Sequence, residues 1–355
     1  MTENTEKTYG FAIVGCGLIA DFHAKAIAEI PNARLVMTAS RSEENARRVA
    51  EPYGADWTTD WPEVLRRRDV DIVNVCTPSG AHMPHAIEAA EAGKHVVVEK
   101  PLEITVERCD RIIAAAAAAG VKLVTIFPSR FSQTAQAIKQ AADDGRFGQI
   151  VLADAYVKWY RDQAYYGPGR WQGTKRWDGG GALMNQSIHT IDLLQWLVGP
   201  VKSVAGYVGV LGHAGIEVED AAVAALEFQN GAFGTIEGTT AAYKGYPRRV
   251  EICGTEGSVF MEGNDITVWS FAEERPEDEE VRRRLGPKAA DSGGSSDPAA
   301  ISHAGHKSQL EDLLRALDTG GEVLCDGQEG RHAVEIILAI YRSSQLRRRV
   351  TLPLA

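Results

Sequence analysis

Long apolar runs are missing from this chain. The longest, residues 112–119, is mostly alanine and falls well short of the roughly 20 apolar residues that cross a bilayer. The opening stretch, MTENTEKTYG, is polar and carries no apolar signal core, so a cytoplasmic protein is expected. Cysteine is sparse. The five (Cys16, Cys76, Cys109, Cys253, Cys325) are scattered and form no CxxC pair, which argues against a disulfide framework and a zinc site; no metal is expected. Positive charge is in deficit: 38 Lys and Arg stand against 48 Asp and Glu, a formal net charge of -10. That balance argues against nucleic acid and membrane as partners, while leaving room for a local basic pocket for a phosphorylated cofactor. No internal repeat is present.

What is present is patterned. A chain of 355 residues exceeds one ordinary core, so two domains are expected. Up to residue 127, short apolar runs (residues 11–14, 35–39, 72–75, 95–98 and 123–126) alternate with helical stretches (18–29, 81–92 and 106–119). That alternation implies βαβ units and a parallel sheet. The six alanines at 114–119 read as a close-packed helix face. Beyond Pro128 come a helix (132–142), a strand (150–158), a Gly/Trp-rich stretch and a helix (182–197). Successive strands then run from 201 to 269, with Asn230-Gly231 as a hairpin signal. Residues 273–304 read as a mobile surface loop, and helices at 306–317 and 329–347 close the chain. The expected fold is α/β: a Rossmann-type domain with a parallel sheet over 1–127, and over 128–355 an α+β domain with a large, mostly antiparallel sheet.

The segment FAIVGCGLIADFHAKAI carries G-x-G-x-x-A at Gly15, Gly17 and Ala20. It follows an apolar strand and opens an amphipathic helix, the context a dinucleotide fingerprint requires. Gly15 permits the tight turn, Gly17 admits a pyrophosphate close to the backbone, and Ala20 lets helix and sheet approach. Backbone N–H groups at Leu18, Ile19 and Ala20 then face the diphosphate. The second strand ends in Ser40-Arg41-Ser42 rather than in an acid. A carboxylate there would repel a 2′-phosphate, whereas Ser40 and Arg41 can bind one, so NADP is expected in preference to NAD. Arg41 could instead cap the next helix or stack on adenine.

The strand at 95–98 leads into Glu99-Lys100-Pro101, placing Lys100 at the C-terminal end of a parallel strand, where ligands bind in such sheets. Thr77-Pro78 ends another strand on the same side. In GGGALMNQSIHTIDLLQWL, helical spacing puts Asn185, His189 and Asp192 along one face. Together the GCGLIA turn, the TPSGAH turn, the EKP motif and this helix resemble the Gfo/Idh/MocA oxidoreductase family over nearly the whole chain, including HKSQLEDLLRAL. The resemblance implies a nicotinamide cofactor, NAD(P), in contact with Thr77, Pro78, His82, Glu99 and Lys100. It also implies sugar, sugar-nucleotide, inositol or other polyol substrates, and homodimers or homotetramers formed over the second sheet. Lys100 matches the EKP lysine, and His189 the histidine of the family's D-x-G-x-H helix. Asn185 and Ser187 depart from that motif at its acid and its glycine. Asparagine hydrogen-bonds but takes no proton, which shifts weight onto Lys100 and His189.

The expected chemistry is alcohol–ketone interconversion by hydride transfer, with His189 as proton carrier and Lys100 polarising the substrate oxygen. A lysine near its ordinary pKa of about 10.4 would need desolvation or a neighbouring cation to act as the base. Asp192 is expected to hold the helix or orient His189, and Asn185 to contact substrate or bond locally. The stretch VKWYRDQAYYGPGRWQGTKRWDGGG is rich in aromatic and cationic residues and suits a sugar, a carboxylate or a phosphate. Lys158 and Trp171 are its candidates, beside Arg161, Arg170, Lys175 and Arg176; Arg130 and His306 are weaker ones. Strand-edge and interface packing is the competing reading of that stretch. Two other functions compete: a sugar hydrolase or lyase that oxidises and re-reduces its substrate on bound nicotinamide, and a non-catalytic dinucleotide-binding regulator.

Overall fold

The structure, a computed structural model, describes residues 7–287 and 302–354. It forms two compact units, Met1–Pro128 with Ser302–Arg331, and Ser129–Ile301 with His332–Ala355.

In the first unit the chain runs β1 (Tyr9–Val14), α1 (Leu18–Ala28), β2 (Ala33–Ala39), α2 (Glu43–Ala50), β3 (Asp56–Thr58), α3 (Trp61–Arg66), β4 (Ile72–Val75), α4 (His82–Glu91), β5 (His95–Val98), α5 (Val106–Ala119) and β6 (Leu123–Thr125). The six strands form one parallel sheet in the order β3-β2-β1-β4-β5-β6. β1, β4 and nearly all of β5 are buried, as expected of parallel strands covered on both faces. Ser42 caps α2, accepting from Asn45 N, so the cap is not Arg41. Thr105 caps α5, and Gly120 ends it in the left-handed conformation. The alanine run does not form a packed face. Of residues 114–119 only Ala116 is buried, and the run serves the helix through propensity. β3 and α3 are too short to leave a periodic signal in the sequence.

The second unit continues with α6 (Gln133–Asp143), β7 (Ile150–Lys158), a π-type turn (Ala182–Ser187) leading into α7 (Ile188–Val198), β8 (Val201–Gly209), β9 (Ala221–Phe228), β10 (Phe233–Thr239), β11 (Arg249–Gly254), β12 (Gly257–Glu262) and β13 (Asp265–Phe271). With β14 (Val350–Thr351) these strands make an eight-stranded sheet in the order β13-β12-β11-β7-β10-β9-β8-β14; only β7 and β10 pair in parallel. Side chains alternate across it. Ala153, Ala155 and Val157 of β7 are buried on the side that α7 covers. Leu152, Asp154, Tyr156 and Lys158 belong to the opposite face, where Leu152, Phe233, Val223 and Tyr207 are exposed.

Two sequence expectations are corrected. Within the supposed loop at 273–304, Pro276–Leu285 is a helix, α8. Its order of charge explains it: Glu277, Asp278 and Glu279 open it and Arg282, Arg283 and Arg284 close it, matching the helix dipole. Residues 288–301 of that segment lie outside the described residues. Second, α9 (Ala304–Thr319) belongs to the first unit rather than to a continuous domain from 128 to 355. Its Leu310, Leu313 and Leu314 join Phe11, Ile13 and Ile27 in one apolar cluster, because its buried face completes the layer over α1. α10 (Gly327–Leu346) follows, and no described helix is long and apolar enough to cross a membrane.

Candidate functional site

The glycine turn is built for close approach. Gly15 has φ +90°, and a Cβ there would lie 2.6 Å from the backbone of Cys76 and Thr77, so no other residue fits. Gly17 starts α1 without a side-chain cap, and a Cβ on it would meet only open space. Ala20 is fully buried, Ile19 half-buried and Leu18 exposed. Beside them the Thr77 hydroxyl is buried and has no hydrogen-bond partner. An uncapped helix start, an open glycine and an orphaned hydroxyl suit a diphosphate with its ribose. At the end of β2 the Ser40 hydroxyl accepts from Ser42 N at 3.3 Å, and Arg41 is exposed.

The ends of β4 and β5 are tied by buried histidines. His82 spans Thr77 O and Pro101 O, each at 2.9 Å, and burial lowers its pKa. The ring clamps two turns together, so the structure gives His82 a positioning role in place of the expected cofactor contact. Glu99 is likewise turned inward. His23 Nε2 lies 2.9 Å and His306 Nε2 3.4 Å from its Oε1, and its Oε2 accepts from Lys100 N at 3.1 Å. Asn74 Nδ2 reaches His23 Nδ1 at 2.7 Å, which leaves the His23 proton on Nε2, donating to Glu99. One nitrogen of His23, one of His306 and one Glu99 oxygen all lie within 4.8 Å of one another, and hydrogen bonds account for the grouping. Burial pushes the Glu99 carboxyl up, but the two histidine bonds outweigh it and hold it well below the usual carboxylate range. Burial also lowers the His23 pKa, more than its bond to Glu99 raises it. The half-buried Lys100 therefore extends from a main chain that is fixed on its N-terminal side.

A pH dependence follows. Both groups titrate lower in the folded state than in the unfolded chain. Their contribution is therefore complete above the unfolded histidine pKa of about 6.5 and is lost as pH falls toward the folded values. Thermal melts across this range are expected to show falling stability toward acid, with a shallower slope in Glu99→Gln. An unchanged slope would remove Glu99 from that role.

In the second unit Gly181 brings the chain against Glu219, where a Cβ would lie 1.8 Å from the Glu219 carbonyl. The Glu219 carboxyl accepts from Gly181 N, Leu183 N and Tyr341 Oη at 2.8–2.9 Å, and burial raises its pKa. It thus caps the start of the π-type turn, across which the Ser187 hydroxyl donates to Ala182 O at 2.7 Å. The expected single face of Asn185, His189 and Asp192 is split. Asn185 and His189 are half-buried, whereas Asp192 is fully buried and pairs with Arg130 at 2.6 and 2.9 Å. Arg130 also lies over the Trp196 ring at 5.3 Å. This gives both a structural role and takes Arg130 from the substrate candidates. Lys158 is corrected too: strand alternation puts it on the face away from α7, where it pairs with Glu237 at 2.9 Å. Trp171 is half-buried, and its carbonyl accepts from the Thr174 hydroxyl.

Comparison with known proteins places this architecture. Residues 9–127 match the family described as "Oxidoreductase family, NAD-binding Rossmann fold", and residues 135–260 match the "GFO/IDH/MocA C-terminal domain". The chain belongs to the Gfo/Idh/MocA family. Among solved structures it is similar to the WlbA dehydrogenase from Bordetella pertussis in complex with NADH and UDP-GlcNAcA, with TM-score 0.90 and 36% identity over 99% of both chains. Among curated relatives it is similar to scyllo-inositol 2-dehydrogenase (NAD(+)) of Bacillus subtilis (strain 168), 32% identical over 256 residues, 70% of this chain and 72% of the relative. It is also similar to 2,7-anhydro-N-acetylneuraminate hydratase of Mediterraneibacter gnavus, 28% identical over 262 residues, 71% of this chain and 67% of the relative.

Within this Gfo/Idh/MocA chain the structure adds residues that sequence reading passed over. Asp178 lies 2.6 Å from Asn185, and Gln186 joins Asn185 to Tyr165 and to Arg161, the last already a candidate from the sequence, at 2.9 Å. Their only sequence signal is position: Asp178 directly precedes Gly179-Gly180-Gly181, and Gln186 follows Asn185.

Proposed function

We propose that this chain is a nicotinamide-dependent dehydrogenase that interconverts an alcohol and a ketone on an anionic sugar derivative, with nucleotide-linked sugar acids as the leading class. The reading is carried by the glycine turn with its open Gly17 and orphaned Thr77 hydroxyl, in a chain whose likeness to a dehydrogenase bound to NADH and UDP-GlcNAcA runs over 99% of its length. Gly15, Gly17, Ala20 and Thr77 would hold the cofactor, which when bound supplies hydride exchange with the substrate carbon. His189 accepts the hydroxyl proton and Lys100 steadies the oxygen. Arg161, buried among Trp159, Tyr165 and Gln186, suits an anionic sugar group. The exposed Leu152, Tyr207, Val223 and Phe233 on the outer sheet face support the expected homo-oligomer, which sedimentation tests.

Two finer readings are decided by one screen. Ser40 and Arg41 support NADP; the NADH in the similar structure supports NAD. Sugar acids, UDP-linked sugars and inositols are offered with each cofactor while cofactor absorbance and product are followed. Turnover of a UDP-linked sugar acid at least tenfold better than of inositol is expected, and a preference for inositol would overturn the anionic assignment. Tighter binding of NADH than NADPH would remove the Ser40-Arg41 reading. The likeness to a hydratase favours a second reading, transient use of the cofactor, which would give product with no net cofactor change.

A further inference from the structure

The polar row ahead of α7 has a direction. Asp178 is 1% exposed; its Oδ1 accepts from Asn185 Nδ2 at 2.6 Å and its Oδ2 from Gly173 N at 2.8 Å. A carboxylate only accepts, so it decides which end of the Asn185 amide faces it. Asn185 Oδ1 must then face away, and it accepts from Gln186 Nε2 at 3.0 Å. That fixes Gln186 in turn: its Oε1 accepts from Arg161 Nη2 at 2.9 Å, and its Nε2 also donates to the Tyr165 hydroxyl at 2.9 Å. Tyr165 is therefore an acceptor within the row, and its own proton has no acceptor among the described residues. Burial, followed by the charge of Asp178, raises the Tyr165 pKa, so the phenol keeps that proton.

We propose that Asp178 sets the polarity of the Asn185–Gln186–Tyr165 row, so that Tyr165 presents a hydrogen-bond donor to an anionic or oxygen-rich group of the substrate. Asp178 acts as a positioning residue and Tyr165 as a substrate-binding one. The inference rests on the dehydrogenase reading above and deepens it. It also relocates the negative charge: the motif acid that Asn185 replaces in α7's leading turn is present seven residues earlier in sequence, in hydrogen-bond contact with that asparagine.

The test is an exchange. Asp178→Asn, Asn185→Asp and the double variant D178N/N185D are compared with wild type, together with Tyr165→Phe. In D178N two amides meet, and the row loses its fixed sense. Expected is a fall in kcat/KM of at least tenfold with cofactor affinity unchanged. Most of that loss should be recovered in the double variant, where the amide now at position 178 donates to the carboxylate now at position 185 and still accepts from Gly173. Y165F is expected to raise KM at least fivefold with a smaller effect on kcat. D178N within threefold of wild type, or a double variant no better than D178N, would overturn the proposal. Melting curves read the same pairing without turnover. N185D brings two carboxylates together that cannot both ionise, so its melting temperature should drop at about pH 8 and recover toward about pH 5. The double variant should melt like wild type at both. Wild type that turns over no sugar while this melting pattern holds would sink the dehydrogenase reading and leave the pairing standing; failure of the pattern sinks the pairing itself.

Discussion

Lys100→Ala and His189→Ala are each expected to lower turnover by about 10²–10⁴-fold, the usual loss when a positioned acid–base group is removed. The two losses should differ in kind. Lys100 follows the Glu99 hub, and its N–H is held by the Glu99 carboxylate, so truncating its side chain leaves the turn intact. Cofactor affinity, read by fluorescence titration, should stay within a few-fold in both variants, because the glycine turn and Thr77 are untouched. His189 sits on α7, whose start is fixed independently by Glu219. Its loss should remove the alkaline-favoured limb of the pH–rate profile if it carries the proton, whereas loss of Lys100 should depress the whole profile. Near wild-type turnover in both variants, with intact folding, would dismiss the pair as the reacting groups.

Asp192→Ala should cost about 3–5 kcal/mol of stability, because it takes a bidentate carboxylate partner from a buried guanidinium. Arg130 and Asp192 are each 1% exposed and joined by two bonds, with Trp196 beside the arginine. Breaking one half removes two charge-assisted bonds from the other in a place shielded from water. Replacing both by apolar residues of similar volume, as in R130M/D192L, should recover much of the loss, since a packed apolar pair avoids the desolvation of both charges. Urea unfolding measures both outcomes. Turnover per folded molecule of D192A should stay within a few-fold of wild type, and a loss comparable to that of His189→Ala would return Asp192 to the chemistry.

Much of the first unit was legible because its signals are local. Buried strands are short apolar runs, and one glycine pattern marks the turn between β1 and α1. What escaped is non-local or aperiodic. β3 and α3 are too brief to show a period. Nothing in the sequence of α9 says which core its leucines enter. Asp178 and Asn185 are separated by three glycines and a π-type turn, so no helical spacing links them. Lys158 was within reach: β7 alternates, and counting from the buried Ala153, Ala155 and Val157 assigns it to the far face. The helix at 276–285 was also within reach through its acid-to-base order. In both places the local period is short and lies inside a stretch whose charged or aromatic composition is the stronger signal.

The return of α9 bears on how the protein is made. Leu310, Leu313 and Leu314 line the same apolar cluster as the first strand, yet they leave the ribosome some three hundred residues after it. A nascent chain that has completed all six parallel strands still lacks one wall of its interior. Apolar surface that α9 later covers remains open throughout synthesis of the second unit, the interval in which a chaperone would have most to hold. A fragment ending at Pro128 would carry that open wall permanently, so the cofactor-binding half cannot be isolated simply by cutting where its sheet ends.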